Sequence, residues 1–526
     1  MRIRNYALVL LAAMALGLLA AVSPASASSH LRSVTVQVNG SILAVNAYSI
    51  DGRTVVPLRA IFERLNATTE WNDQEKSVTA TKGTTVIKLW LGRTEAMING
   101  ETVALSAPAT SIHGSTYVPL RFVSEALGAE VGFDSERNLV EVTLGGVGAE
   151  SGCTVSAGQK HSGTIRPGGE TWGLCGSPHY VDGAFLIEGE DSPVLVIEAG
   201  AVVRFKQGAS IQVAQNAPGG LVVEGTAEQP VVFTADTAGA QPGFWEGIVF
   251  YPQTAKGRAT LEHARVEYAG SYYGGAVTLE GDGGAVEATL KHTELKHSLH
   301  AGVLLRGSAK LSDGSGALTI TGTKASEVGG GAPFMTSAYG THWLPDGKYE
   351  GNEHDAVRVS SYNSGEGITA NTTWRNIGIP YYFEEDIYVG GSANPTLTIE
   401  PGVTTQWARE TGLYVGEYGG RGGLMAVGTA ESPVVFTSDL LRPGAWSGIR
   451  FGPDAGGKNV GLKHTVVEYA VNGVSFAEDP GPVVSDSVLR HNKQYGITYY
   501  ADAVGTDFTS GFGNTFQGNG EDLGLE

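Results

Sequence analysis

From about residue 155 onward, short runs of β-branched and aromatic residues alternate with polar ones, as at 194–205, 221–224 and 231–233. Gly, Pro, Asn or Asp break them at short intervals. Alternation with period 2 over runs this brief predicts strands rather than helices. Almost no stretch beyond residue 150 places apolar residues at i, i+3, i+4 and i+7, which disfavours βαβ winding. Residues 34–145 carry a different pattern. Val34, Val36 and Val38 run into Asn39-Gly40, a hairpin signal. Pro57 and Pro119 stand where a helix can start. Leu58, Ile61, Phe62 and Leu65, and again Leu120, Val123 and Leu127, then fall on one helical face, ended by Asn66 and Gly128.

Both regions are duplicated. In the longer one the offset is about 200 residues, a repeat signature that decides the architecture. Trp172, Leu195-Val196-Ile197-Glu198-Ala199-Gly200, the Gly225-to-Thr234 run and Trp245-Glu246-Gly247-Ile248 form the first copy. Trp374, Leu397-Thr398-Ile399-Glu400-Pro401-Gly402, the Gly428-to-Thr437 run and Trp446-Ser447-Gly448-Ile449 answer it. His263 and Glu267 return as His464 and Glu468, and Tyr349-Glu350-Gly351-Asn352 as Phe516-Gln517-Gly518-Asn519. No shorter period matches a propeller blade, so a solenoid of parallel strands with coils of varying length is expected.

The Leu-Thr-Ile-Glu-Pro-Gly, Gly-Thr-Ala-Glu-x-Pro-Val-Val-Phe-Thr and Trp-x-Gly-Ile-x-Phe motifs resemble the right-handed parallel β-helix repeats of bacterial surface and secreted proteins, the pectate-lyase-like fold. That resemblance implies a scaffold shared by lyases, adhesins and stalks, and hence a fold rather than an activity. In the first region Thr54-Val55-Val56-Pro57-Leu58-Arg59 returns as Thr116-Tyr117-Val118-Pro119-Leu120-Arg121. This ββαβ-like doublet resembles the N-terminal, stalk-like domain of copper amine oxidases. Amine oxidase chemistry itself is not implied: it needs a Tyr in an Asn-Tyr-Asp/Glu setting, whereas Asn5-Tyr6 lies in the signal peptide, and no His-x-His occurs. The expected fold is therefore mainly β. The domains are a signal peptide at 1–27, an α+β module of two repeats at 34–145, and β-helix copies at 151–356 and 357–526.

Composition narrows the partners. Lys+Arg 35 against Asp+Glu 54 leaves a net charge of −19 with 17% charged residues, which argues against nucleic acid and anionic lipid. Gly at 75 suits tight bends with positive φ. Met1-Arg2-Ile3-Arg4, an apolar run from Ala7 to Val22 and Ala25-Ser26-Ala27 make a secretory signal, and no later segment is apolar enough to span a bilayer. Cys153 and Cys175 are the only cysteines, and the second copy lacks both. In an exported chain they are expected to pair, closing a loop whose crosslink contributes about 3 kcal/mol in the chain-entropy model.

Candidate chemistry is sparse. Trp245 and Trp446 could stack on a sugar ring or cap the core. The His263/Glu267 and His464/Glu468 pairs could offer ligands on one face or simply keep strand parity. Asn352, Asn514 and Asn519 suit coil corners, where an amide satisfies turn backbone groups. The acidic clusters Glu188, Glu190, Asp191 and Glu384, Glu385, Asp386 have no Arg or Lys beside them in sequence. No catalytic residue can be assigned, and no metal site or cofactor is expected. Ca²⁺ would enter only with a lyase. The expected function is a secreted or cell-surface, non-catalytic protein whose β-helix binds cell-wall, matrix or polysaccharide partners. The alternative is a polysaccharide lyase or glycoside hydrolase on the same scaffold.

Overall fold

The computed structural model describes residues 32–144 apart from 39–40, 44, 46, 51–52, 66, 83–84, 113–114, 128 and 135–137. It also describes 157–525 apart from 361–366, 418–419, 457–460, 478–482 and 500–511. The signal sequence and Cys153 lie outside this set. The described residues divide into two compact units, one within 1–35 and 44–127, the other within 36–43 and 128–526.

The first unit is built from antiparallel strands and two short helices. Ala47–Ile50 pairs with Arg53–Pro57, which pairs with Ser115–Pro119 and so leads to Thr110–Ile112. A five-stranded meander runs from Thr68–Asn72 to Glu101–Ala104. Its last hairpin turns through Asn99 and Gly100, both at positive φ, as a two-residue turn of the type favoured by right-twisted strands requires. Pro57 and Pro119 end their strands, and the helices Leu58–Arg64 and Leu120–Ala126 begin at the next residue. Leu58, Ile61, Phe62 and Leu65, with Leu120, Val123 and Leu127, are buried as the helical spacing requires.

In the second unit Val38 pairs with Ser41, and Ala129–Asp134 pairs with Leu139–Leu144. The rest is a parallel β-helix. Each coil of the first copy visits three ladders. The first contains Glu170–Trp172, Val194–Glu198 and Gly219–Glu224; the second Val202–Phe205, Val231–Ala235 and Ala264–Glu267; the third Ser210–Val213, Gly247–Phe250 and Gly275–Gly281. The second copy repeats this with Thr372–Trp374, Thr396–Ile399 and Gly423–Val427; with Tyr381–Phe383, Thr404–Trp407 and Val434–Ser438; and with Ile387–Val389, Gly412–Val415 and Gly448–Phe451.

The copies are stacked one ladder out of step. Val357–Val359 pairs with Ala332–Thr336 of the first copy's third ladder on one side and with Tyr381–Phe383 on the other. The first copy's third ladder therefore runs into the second copy's second ladder. The first copy also carries one more coil. Glu294–Lys296 reaches Gly347–Tyr349 through Leu318–Thr321, whereas Val488–Arg490 pairs with Thr515–Gln517 directly. The end motifs match in sequence but stand one coil apart in the repeat.

One hydrophobic cluster runs through the solenoid from Ile165 to Ile497. Aromatic rings stack along it, Phe205 on Trp245 at 3.7 Å and Trp407 on Trp446 at 5.4 Å between centroids. The Gly-Thr-Ala-Glu-x-Pro motif forms a corner. The Thr226 and Thr429 hydroxyls accept the Gln229 and Ser432 N–H at 3.0 Å. Gly225 and Gly428 are needed there, because a Cβ would lie 2.3 Å from the His263 carbonyl oxygen or 2.5 Å from that of His464 on the next coil.

Candidate functional site

The structure separates the residues singled out in sequence. Trp245 and Trp446 are fully buried, and their indole N–H groups donate to the Glu267 and Glu468 carbonyls at 2.9 and 2.8 Å. Neither offers a ring face to a sugar. His263 and His464 occupy one-residue corners at φ 46° and 47°, and the His263 ring stacks on His292, the matching corner one coil on, at 4.6 Å. Tyr268, His297, Tyr469 and His491 hold the next corner along, again at positive φ, with Tyr268 on His297 and Tyr469 on His491. The His-x3-Glu-Tyr spacing is thus corner, strand, corner. His tolerates the left-handed region better than most residues.

Glu267 and Glu468 close the strands between these corners and sit in an outward file that both copies share. Glu267 accepts from the Thr234 hydroxyl at 3.2 Å. Glu468 accepts from Thr437 at 2.9 Å and pairs with Arg490 at 2.6 Å. In the first copy burial would raise the Glu294 carboxyl, but Arg265 and Lys296, each at 2.7 Å, outweigh it and hold it at about 2. Several members of the acidic clusters are likewise committed. Glu188 binds Asn216, the Asp386 carboxylate accepts the Gly412 N–H, and Glu384 pairs with Arg358, a cation brought from the previous coil. Among the described residues no three His, Cys, Asp or Glu side chains are grouped to hold a metal.

Two features were not anticipated. The first is an open recess of about 440 Å³ on the first ladder of the second copy, lined by His342, Asn371, Thr373, Asn394, Thr398 and Met425 among others. Parallel register puts Thr373 beside Thr398 and Thr398 beside Met425, one file along the helix axis with a spacing of about 4.8 Å per coil. His342 Nδ1 accepts the Thr373 N–H at 2.9 Å, so the ring proton is on Nε2. The Asn371 side-chain oxygen accepts the Thr396 N–H at 2.9 Å. The recess therefore mixes fixed donors and rotatable hydroxyls with the apolar side chains of Met425 and Ala393, and among the described residues no charged side chain lines it.

The second is a polar cluster beside the first coil, around a cavity of about 420 Å³. His179 Nε2 lies 2.9 Å from the Gly173 carbonyl and must donate to it. Its Nδ1 then accepts from His161 Nε2 at 3.1 Å. Glu170 accepts the Trp172 indole N–H at 2.9 Å and stands 3.7 Å from His161 Nδ1. Burial, and then His179, push His161 down to about 4; burial lowers His179 too. In the second copy Tyr381 takes the place of His179, and its hydroxyl donates to the Arg375 carbonyl at 2.8 Å. An offset-by-offset reading of the two copies exposes this exchange, but not the contact with His161.

The described residues thus form a parallel β-helix preceded by antiparallel strands and two short helices. Residues 176–287 match the pectate-lyase-like beta helix domain, and residues 37–142 match the copper amine oxidase N-terminal domain. A protein named "Protease inhibitor" from Brevibacillus choshinensis is 31% identical over 106 residues, 20% of this chain and 32% of that protein. The chain thus spans about a third of the length of this curated relative. Both matched domains are of kinds typical of extracellular proteins, and the pectate-lyase-like β-helix fits a polysaccharide-related one. No helix among the described residues is long and apolar enough to cross a membrane.

Proposed function

We propose that this is an exported protein, secreted or held at the cell surface, whose β-helix binds a cell-wall, matrix or other polysaccharide partner without cleaving it. In this reading residues 1–27 are removed on export, and Cys153 and Cys175 form a disulfide near the first coil. The observation that carries the reading is the contrast between faces. Glu267, Glu468 and Glu294 of the outward file are tied to Thr, Arg and Lys partners, while the open recess at His342, Asn371 and Thr398 carries neutral hydrogen-bonding groups.

A glycosidase or lyase needs a proton donor or base poised near the working pH. In the β-helix Lys291 holds the Glu262 carboxyl low, and Arg265 and Lys296 outweigh burial to hold Glu294 low, so neither is a proton donor near neutral pH. The test is sedimentation of the full chain with insoluble cell-wall polysaccharide. Saturable pelleting is expected. No pelleting with any wall or plant polymer would overturn the reading.

A further inference from the structure

Comparing the two copies position by position locates where they diverge chemically. Thr396 and Thr398 occupy the places held by Val194 and Val196 in the first copy, and Asn371 the place of Gly169. Both copies keep the inward residues of these strands, Leu195 and Ile197 against Leu397 and Ile399, all buried. The inward residues are thus the same in both copies, while two outward valines of the first copy stand as threonines in the second, beside Thr373, which matches Thr171. Stability does not require this change, since the first copy packs the same strand with valines. A patch of hydroxyls and amides on an otherwise equivalent ladder instead suits a ligand that is itself rich in hydroxyls.

We propose that the recess of the second copy is a subsite for a neutral, hydroxyl-rich glycan lying along the helix axis across Thr373, Thr398 and Met425. This rests on the polysaccharide-binding reading above and adds the ligand class and the residues. The volume falls in the roughly 300–1,000 Å³ range of small-ligand sites. His342 Nε2–H is a fixed donor, because its other nitrogen is engaged by the Thr373 amide. The threonine hydroxyls both donate and accept, as sugar hydroxyls do. Met425 supplies a polarisable apolar surface for a pyranose C–H face. A uronate chain is disfavoured: among the described residues no cation lines the recess, and the whole chain carries a net charge of −19.

The experiment is affinity gel electrophoresis of the full chain through gels containing galactomannan, mixed-linkage β-glucan or polygalacturonate. The variants are Thr396→Val/Thr398→Val, which installs the first copy's residues and so keeps a packing the fold already uses, and Thr398→Ser, which keeps the hydroxyl. The wild type is expected to be retarded by a neutral glycan, the double valine variant to bind at least about tenfold more weakly, and the serine variant to stay close to wild type. Retardation only by polygalacturonate, or equal retardation of wild type and double variant, overturns this subsite while leaving polysaccharide binding in place. Retardation by none of the three glycans overturns the subsite, and if the sedimentation test also fails the wider reading falls with it.

Discussion

Replacing Trp446 distinguishes a core residue from a ligand platform. The indole is fully buried, stacks on Trp407 at 5.4 Å and donates to the Glu468 carbonyl at 2.8 Å. Trp446→Ala should cost about 4–5 kcal/mol, the upper part of the range for truncating a buried aromatic. Trp446→Phe keeps most of the volume and orphans one carbonyl, so it should cost about 1–2 kcal/mol. The same pair at Trp245 should follow that order. Trp245→Ala should exceed Trp446→Ala by roughly 1 kcal/mol, because Trp245 lies face to face on Phe205 at 3.7 Å and 5°. A solenoid need not unfold in one step, so the assay is amide hydrogen exchange, read separately for 247–250 and 448–451. Loss of protection should centre on the coil that carries the substitution. If Trp446→Ala left protection unchanged but abolished polysaccharide pelleting, the indole would be a binding group and the packing argument would be wrong.

The His161–His179 pair makes the first coil acid-sensitive. Both pKa values are depressed from 6.5 in the folded state, so the unfolded chain takes up protons first and stability falls as pH drops from 6.5 toward 4. A His161→Gln/His179→Gln variant should show a flatter denaturation profile over that window, and an unchanged slope would remove the pair from the account. Asn492 donates to the Val467 carbonyl and to Asn519, and accepts the Ala470 N–H at 3.0 Å. Asn492→Ala should therefore cost about 2–3 kcal/mol in urea denaturation, whereas a cost near zero would mean that water replaces all three bonds. Exported, native protein should show no free thiol before reduction and two after it; two thiols before reduction would rule out the Cys153–Cys175 bond.

Much of the scaffold was legible because its constraints are local. Gly225-Thr226 and Gly428-Thr429 announce corners through hydroxyl-to-amide turns and through close backbone contact with the next coil, and both leave a readable motif. The two helices of the small module followed from their apolar spacing. Asn352, Asn514 and Asn519 sit at corners as their turn chemistry suggests, each amide bonding backbone groups of neighbouring coils. The shift of one ladder at Val357–Val359 left no such trace, because it depends on how the chain closes a single coil between Gly347–Tyr349 and Tyr381–Phe383. The recess was missed for a related reason. Thr373, Thr398 and Met425 lie 25 to 27 residues apart in sequence, and only the coil lengths between them bring the three side chains into one file. The pairing of Glu384 with Arg358 was hidden in the same way.

The central claim is that this β-helix holds a polysaccharide and leaves it intact. The most direct measurement is the reducing-end count and chain length of a polysaccharide recovered from the pelleted complex after prolonged incubation, with and without Ca²⁺. The account predicts both to match the polymer incubated alone. New reducing ends or unsaturated ends, abolished by substituting one acidic residue in only one of the two copies, would contradict it and make the protein an enzyme.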